Sequence, residues 1–158
     1  MAKKIKIGGI MYSDGLAMIG VLAMPARPGI AGTILSTLGE HHINVQFIVQ
    51  TADMSGYDHV VFCVTRADVP AALELLAGVK GEVKAQDIVC DQEVGIVSIF
   101  GPDFRQRPGI AGQMFAALGR LNINIKAIST STSTISCLIA ADRLSEAVKA
   151  LQETFELP

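Results

Sequence analysis

The stretch Arg27-Pro28-Gly29-Ile30-Ala31-Gly32 is written a second time, letter for letter, as Arg107-Pro108-Gly109-Ile110-Ala111-Gly112, 80 residues further on. The correspondence runs past the hexapeptide. Leu38-Gly39 recurs as Leu118-Gly119, and Ile43-Asn44-Val45 as Ile123-Asn124-Ile125, at the same offset. A period of this length exceeds a solenoid unit and suits a small domain, so the chain reads as a tandem duplication of one fold.

Each copy opens with a short, β-branched apolar run, residues 16–24 and 94–101, which reads as a strand. Pro28-Gly29 and Pro108-Gly109 follow, and proline suits a helix's first turn because its missing N–H costs nothing there. Helices are therefore predicted from these turns. Ile30, Ala31, Ile34, Leu35 and Leu38 recur at helical spacing, as do Ile110, Ala111, Met114, Phe115 and Leu118, which gives each helix one apolar face. Residues 43–51 and 123–131 read as second strands, and 57–65 and 133–141 as thirds, the first hairpin turning through Met54-Ser55-Gly56. Second helices are predicted over 69–78 and 144–155, and a fourth strand over 82–90 in the first repeat. The order is βαββαβ: an α+β class, ferredoxin-like, with helices on one face of an antiparallel sheet. The second repeat is one strand short, and residues 4–12 carry strand character with no place in the first. They are assigned to the second sheet, so the first domain (14–91) is predicted to be inserted within the second (1–13 with 92–158).

Composition bounds the function. The 158 residues are 50% hydrophobic and 18% charged, enough to bury a real core. A net charge of −2 and the lack of a Lys/Arg-rich run argue against nucleic acid. No apolar stretch reaches the roughly 18 residues that cross a bilayer. The opening residues make a poor signal peptide, so a cytoplasmic address is the default. Cys63, Cys90 and Cys137 are widely spaced in apolar runs and read as buried thiols, not as a redox or metal set. His41-His42 with His59 could suggest a metal, but the doublet sits where a helix ends and a cation suits the dipole.

Catalytic chemistry is thin. Walker, G-x-S-x-G and H-E-x-x-H patterns are missing from the sequence. Asp53, Asp58, Asp87, Asp91 and Glu93 fall in or beside predicted turns, where solvated charge is ordinary. The hydroxyl run Ser129 to Thr134 has no adjacent base to activate it and reads as a solvent-facing hairpin. A small enzyme of acylphosphatase type would need a phosphate cradle that neither turn offers. Catalytic residues, metal ligands and cofactors are expected to be none. Binding fits better: the backbone N–H groups of Gly29, Ile30 and Ala31 at a helix start suit a carboxylate, and Asn44 or Asn124 can add amide hydrogen bonds. A free amino acid has the right size.

The residues PARPGIAG with INVQFIVQ, and RPGIAGQMFAAL with INIKAISTS and ISCLI, resemble the tandem ACT domains that form the regulatory part of aspartate kinases, including a small regulatory subunit made separately by some bacteria. The resemblance implies a homodimer of ACT pairs that senses threonine, lysine or both and exerts feedback control on the first step of aspartate-family amino-acid synthesis, with a kinase catalytic chain as partner. It also implies sites. One would use the turn from Met24 through Ala26, Gly29, Ile30 and Ala31, with Gln50 and with Asn124-Ile125 of a partner chain. A pseudo-equivalent one would use Gln106, Gly109, Ile110 and Ala111 with Asn44-Val45. The chain departs from the family at Ala26, where the usual Pro-Asp-Lys-Pro-Gly places the aspartate expected to pair with the ligand's ammonium group. Gln46 and Lys126 replace acids, and Thr132-Ser133-Thr134 replaces Glu-Ile-Lys. The catalytic half and its Lys-Phe-Gly-Gly signature are missing. Three roles stay open: a separate regulatory subunit, a piece of a longer kinase, or a free-standing tandem-ACT sensor acting on another enzyme or regulator.

Overall fold

The computed structural model describes residues 3–158, so Met1 and Ala2 of the 1–13 segment lie outside the described residues. The described residues form six strands and four α-helices: β1 (Gly9–Pro25), α1 (Ile30–Glu40), β2 (Phe47–Ala52), β3 (Tyr57–Thr65), α2 (Val69–Val83), β4 (Asp87–Phe100), α3 (Ile110–Arg120), β5 (Ala127–Thr130), β6 (Thr134–Ala140) and α4 (Leu144–Thr154). The chain divides into two compact units, Gly15–Glu93 on one side and the residues up to Asp14 with Val94–Pro158 on the other. Each is an antiparallel sheet carrying two helices, the predicted ferredoxin-like α+β repeat.

In the unit Gly15–Glu93 the strand order is β2-β3-β1-β4. Ile19 stands opposite Phe62 and Val21 opposite Val60, so alternate residues of both strands point to the helices. Ile30, Ile34 and Leu38 of α1 and Ala72 and Leu76 of α2 meet them in a core whose members are almost wholly buried. In the other unit the order is β1-β4-β6-β5. There Val97, Ile99, Cys137 and Ile139 meet Ile110, Met114, Leu118, Ala147 and Leu151. Ser98 and Ser136, directly paired across β4 and β6, satisfy each other at 2.6 Å. No helix among the described residues is long and apolar enough to cross a membrane.

The runs read as separate strands at 4–12 and 16–24, and at 82–90 and 94–101, are continuous in β1 and β4, and β5 is confined to Ala127–Thr130. Three other boundaries differ from the sequence reading, each for a local reason. Helix α2 continues past Gly78 to Val83, where Lys84 at φ 55° stops it. Val83 is 1% exposed in the core, and that burial outweighs the roughly 1 kcal/mol that each helical glycine costs. The following strand therefore begins at Asp87, and Glu82-Val83 are not part of it. Strand β2 starts at Phe47, not at Ile43, because the Ile43 N–H is spent closing α1 on the Leu38 carbonyl at 3.0 Å. Helix α1 itself starts at Ile30, one residue beyond Gly29 at φ 92°, so Pro28 lies in the turn and outside the helix.

Both first helices end alike. His42 and Asn122 adopt φ 60° and 57°, and their N–H groups bond Gly39 and Gly119 while Ile43 and Ile123 bond Leu38 and Leu118. This is the Schellman arrangement, which favours glycine or asparagine at the left-handed position. Histidine pays a steric penalty there, so His42→Gly is expected to raise stability by about 1 kcal/mol. A rise in the denaturant midpoint checks this, and a fall would mean that His42 makes a contact worth more than its strain.

Candidate functional site

The repeated turn is built twice. Gly29 and Gly109 stand at φ 92° and 90°, a region glycine enters freely, and each accepts the first helical bond, from Thr33 and Gln113 respectively. Neither helix has a side-chain cap or an acid in its first turn. The amides of Ile30, Ala31 and Gly32, and of Ile110, Ala111 and Gly112, therefore have no intrahelical acceptor and carry the positive end of the dipole. The repeated arginine anchors each turn: Arg27 donates to the Glu82 carbonyl at 2.7 Å, and Arg107 to the Lys6 carbonyl at 2.6 Å.

What precedes the turn differs between repeats. In the first, β1 takes one extra residue between Val21 and Met24, a β-bulge with Ala23 at φ 55°. His59 on β3 spans it. The Ala23 N–H donates to His59 Nδ1 at 3.1 Å, and His59 Nε2 lies 2.9 Å from Asp53 Oδ2. Because Nδ1 accepts, the ring proton sits on Nε2 and is donated to the carboxylate. Asp53 Oδ1 in turn accepts from the backbone N–H groups of Ser55 and Tyr57 at 2.8 and 3.0 Å. The bond from His59 chiefly, with those from Tyr57 and Ser55, holds the Asp53 carboxyl below its ordinary pKa. The stability it adds is thus present above the ordinary carboxylate range and is lost as pH falls through the depressed folded value. Beyond the bulge, the Ala26 N–H bonds the Gly56 carbonyl at 2.9 Å.

In the second repeat the chain instead makes a 3₁₀ turn, Phe104–Gln106, after Asp103 at φ 60°. A cavity of about 310 Å³ opens there, at the small end of the roughly 300–1,000 Å³ typical of ligand clefts. Phe104, Arg105, Pro108, Gly109, Ala111 and Ser131 contribute to its lining.

Among the predicted site residues, Met24, Ile30 and Ile110 are 0%, 1% and 3% exposed, so their side chains belong to the cores and only their backbones can face a ligand. Ala26, Gly29, Gln106 and Gly109 are exposed, and Ala31 and Ala111 half-buried. Gly109, Ile110 and Ala111 line the cavity. Gln50, exposed on β2, pairs in register with Val60 and shares its helix-side face. Asn44 and Asn124 are exposed, each just ahead of a strand, while Val45 and Ile125 pack against their own unit's core.

Two residues have a place here that the sequence does not show. Asp58, read as a solvated turn acid, lies within β3, is 6% exposed, and stands directly opposite Met24 on the same face. The sequence offers His59 only as a metal ligand, yet its ring serves the bulge. Nothing in the sequence signals an alanine at positive φ. Among the cysteines, Cys63 and Cys137 are buried and desolvation pushes their thiols up to about 12. Cys90 is only half-buried, and its thiol is raised by desolvation and by the charge of Asp91.

Comparison with known proteins accords with this architecture. Residues 17–80 and 97–155 each match an ACT domain model. The chain is 36% identical over 151 residues to an aspartate kinase of Stutzerimonas stutzeri, across 96% of its own length but 37% of that protein's. It thus spans little more than a third of the curated relatives it matches. Against solved structures it is 32% identical to a chain in the crystal structure of aspartokinase alpha and beta subunits, covering 94% of this chain and 97% of that one with a TM-score of 0.86. It also superimposes on the regulatory subunit of aspartate kinase from Thermus flavus at TM-score 0.88 and 29% identity, covering 96% and 99% of the two chains. No kinase catalytic domain is present in these 158 residues. The duplicated turn, the paired ferredoxin-like units and the near-complete correspondence with a chain of an aspartokinase place this protein in the aspartate kinase family, as its tandem ACT regulatory module.

Proposed function

We propose that the module binds a free amino acid of the aspartate family, threonine or lysine, and passes that signal to an aspartate kinase catalytic chain as feedback control. One observation carries the reading: two helices with uncapped N-termini, each entered through a left-handed glycine, offer converging amides to a carboxylate. In the first unit Ala26 cannot take the ligand's ammonium group. The carboxylate of Asp58, opposite Met24 at the head of the same turn, supplies the opposite charge instead. Burial raises the worth of such a charged contact, because solvent competes weakly for it. Association with a kinase chain is supported by the alpha and beta subunits named for the matched aspartokinase structure. Each small unit also has a limited core and exposed sheet edges, which favours a homodimer.

Calorimetric titration with threonine, lysine and methionine, run beside Ala26→Asp and Asp58→Asn, tests this. Micromolar binding of threonine or lysine is expected, weakened at least about tenfold in Asp58→Asn, which corresponds to about 1.4 kcal/mol. Silence of the wild type toward every amino acid would sink the sensor reading. Restored binding in Ala26→Asp would instead mark a site that lost its effector. A second reading, a free-standing sensor for another enzyme, draws on the Pro25-Ala26-Arg27 departure, and failure to co-purify with any kinase chain favours it.

A further inference from the structure

The bulge in β1 sets the direction in which the first effector turn leaves the sheet. An extra residue turns the strand end, and Met24, Pro25 and Ala26 follow from it. An alanine at φ 55° does not hold such a shape by preference, so something outside β1 must fix it. The side chain seen doing so is His59, through the Ala23 N–H, with Asp53 fixing the ring in turn. Leu22 is held from its other side by the Gln86 N–H at 3.1 Å. The second repeat reaches its turn by the 3₁₀ segment instead and has Thr134 two residues before Ser136, in the stretch that follows its own hairpin. The device therefore belongs to the first turn.

We propose that His59 is the positioning residue of the first effector turn: in its Nε2–H form it holds the bulge that aims Met24 to Ala26, and a proton on Nδ1 releases that turn. This rests on the reading that the turn binds an amino acid. The chemistry is binary, because a doubly protonated imidazole has two donors and no acceptor, and the Ala23 N–H would then face another N–H. Around the ring, β1 presents Leu22 and Ala23, β2 presents Thr51, and the hairpin presents the Asp53 carboxylate. On β3, Tyr57 shares its face while Asp58 points to the opposite one. Asp53 keeps its hydrogen bond in either state of the ring, so the Ala23 contact is the one that a proton breaks. Affinity at the first turn then falls on acidification, whereas the cavity beside α3 is indifferent.

The experiment joins two readouts. Long-range nitrogen NMR and exchange of the Ala23 amide report the latch without any ligand. Titration with threonine and lysine at about pH 7.5 and about pH 5.5 reports its consequence. Nδ1 is expected to be an acceptor at the higher pH, with a protected Ala23 amide that loses protection at the lower one. Affinity is expected to drop at least about tenfold over the same interval, within the usual range of coupling between sites. His59→Leu should bind weakly at both pH values. His59→Gln, which keeps an acceptor and a donor on one side chain, should bind with a flat profile. Protection of Ala23 that survives at low pH, or unchanged affinity in His59→Leu, would overturn the proposal. If neither amino acid binds at either pH, the effector reading fails, and the ring tautomer with Ala23 exchange still decides the latch.

Discussion

Phe62→Ala should lower the stability of the unit Gly15–Glu93 by about 3–5 kcal/mol, a large fraction of the roughly 5–15 kcal/mol that holds a typical domain together. Phe62 is fully buried and lies on β3, flanked on both sides by paired strands, with Ile19 opposite on β1 and Ile48 on β2. The sheet cannot close around a missing ring, because moving β3 would break two ladders at once. Helices α1 and α2 can lean in only as far as Ile34, Leu38 and Leu76, already packed there, allow. The cavity cost thus adds to the lost transfer energy. Chemical denaturation followed by circular dichroism should show a lower midpoint at unchanged slope for the transition belonging to this unit. A loss under about 1 kcal/mol would mean that the core relaxes far more than close packing permits.

The second large effect is at the other end of the chain. Phe155 follows α4 in extended backbone and is 1% exposed within the core of its unit. Next to it the Glu156 N–H bonds the Ile5 carbonyl at 2.9 Å, and the Ile7 N–H bonds the Glu156 carbonyl at 3.0 Å. The ring thus pins the backbone that ties residues 5–7 to the C-terminal segment. Phe155→Ala is expected to cost about 3–5 kcal/mol and to free those two amides to exchange with solvent. Leu157→Ala, at a residue 36% exposed, is the control and should stay within about 0.5 kcal/mol of the wild type. Native-state hydrogen exchange separates the outcomes. Protected amides at Ile7 and Glu156 in the alanine variant would show that the bridge stands without the ring.

The duplication could be read directly, because an offset of 80 shared by Arg27, Leu38 and Asn44 has no bland explanation, and the apolar spacing of Ile30, Ile34 and Leu38 marks the helix face. Helices α2 and α4 begin where the sequence puts them, at Val69 and Leu144. Helices α1 and α3 instead begin two residues after Pro28 and Pro108, since proline obeys a general rule for first turns while the actual cap depends on Gly29 and Gly109 turning left-handed. The end of α2 was hidden by Gly78 and Gly81, whose cost is visible in sequence, whereas the burial of Val83 that overrides it is a tertiary fact. At the site, the turn amides follow from the motif. Asp58 and His59 do not, because adjacent strand residues face opposite ways and only the pairing register says which way each faces. An acid at the start of a strand after a hairpin looks solvated until the pairing of Asp58 with Met24 shows that it faces the helices.

The three thiols divide the molecule usefully. Each unit hides one cysteine, Cys63 in one and Cys137 in the other, and leaves Cys90 half-buried as the accessible neighbour. With thiols raised to about 12, the hidden pair has almost no thiolate near neutral pH, and an alkylating reagent meets them only when their own unit opens. The native chain therefore carries an internal clock. Pulse alkylation and peptide mass spectrometry can time the opening of each ACT domain separately, with Cys90 as the reference for reagent strength and with no engineered label.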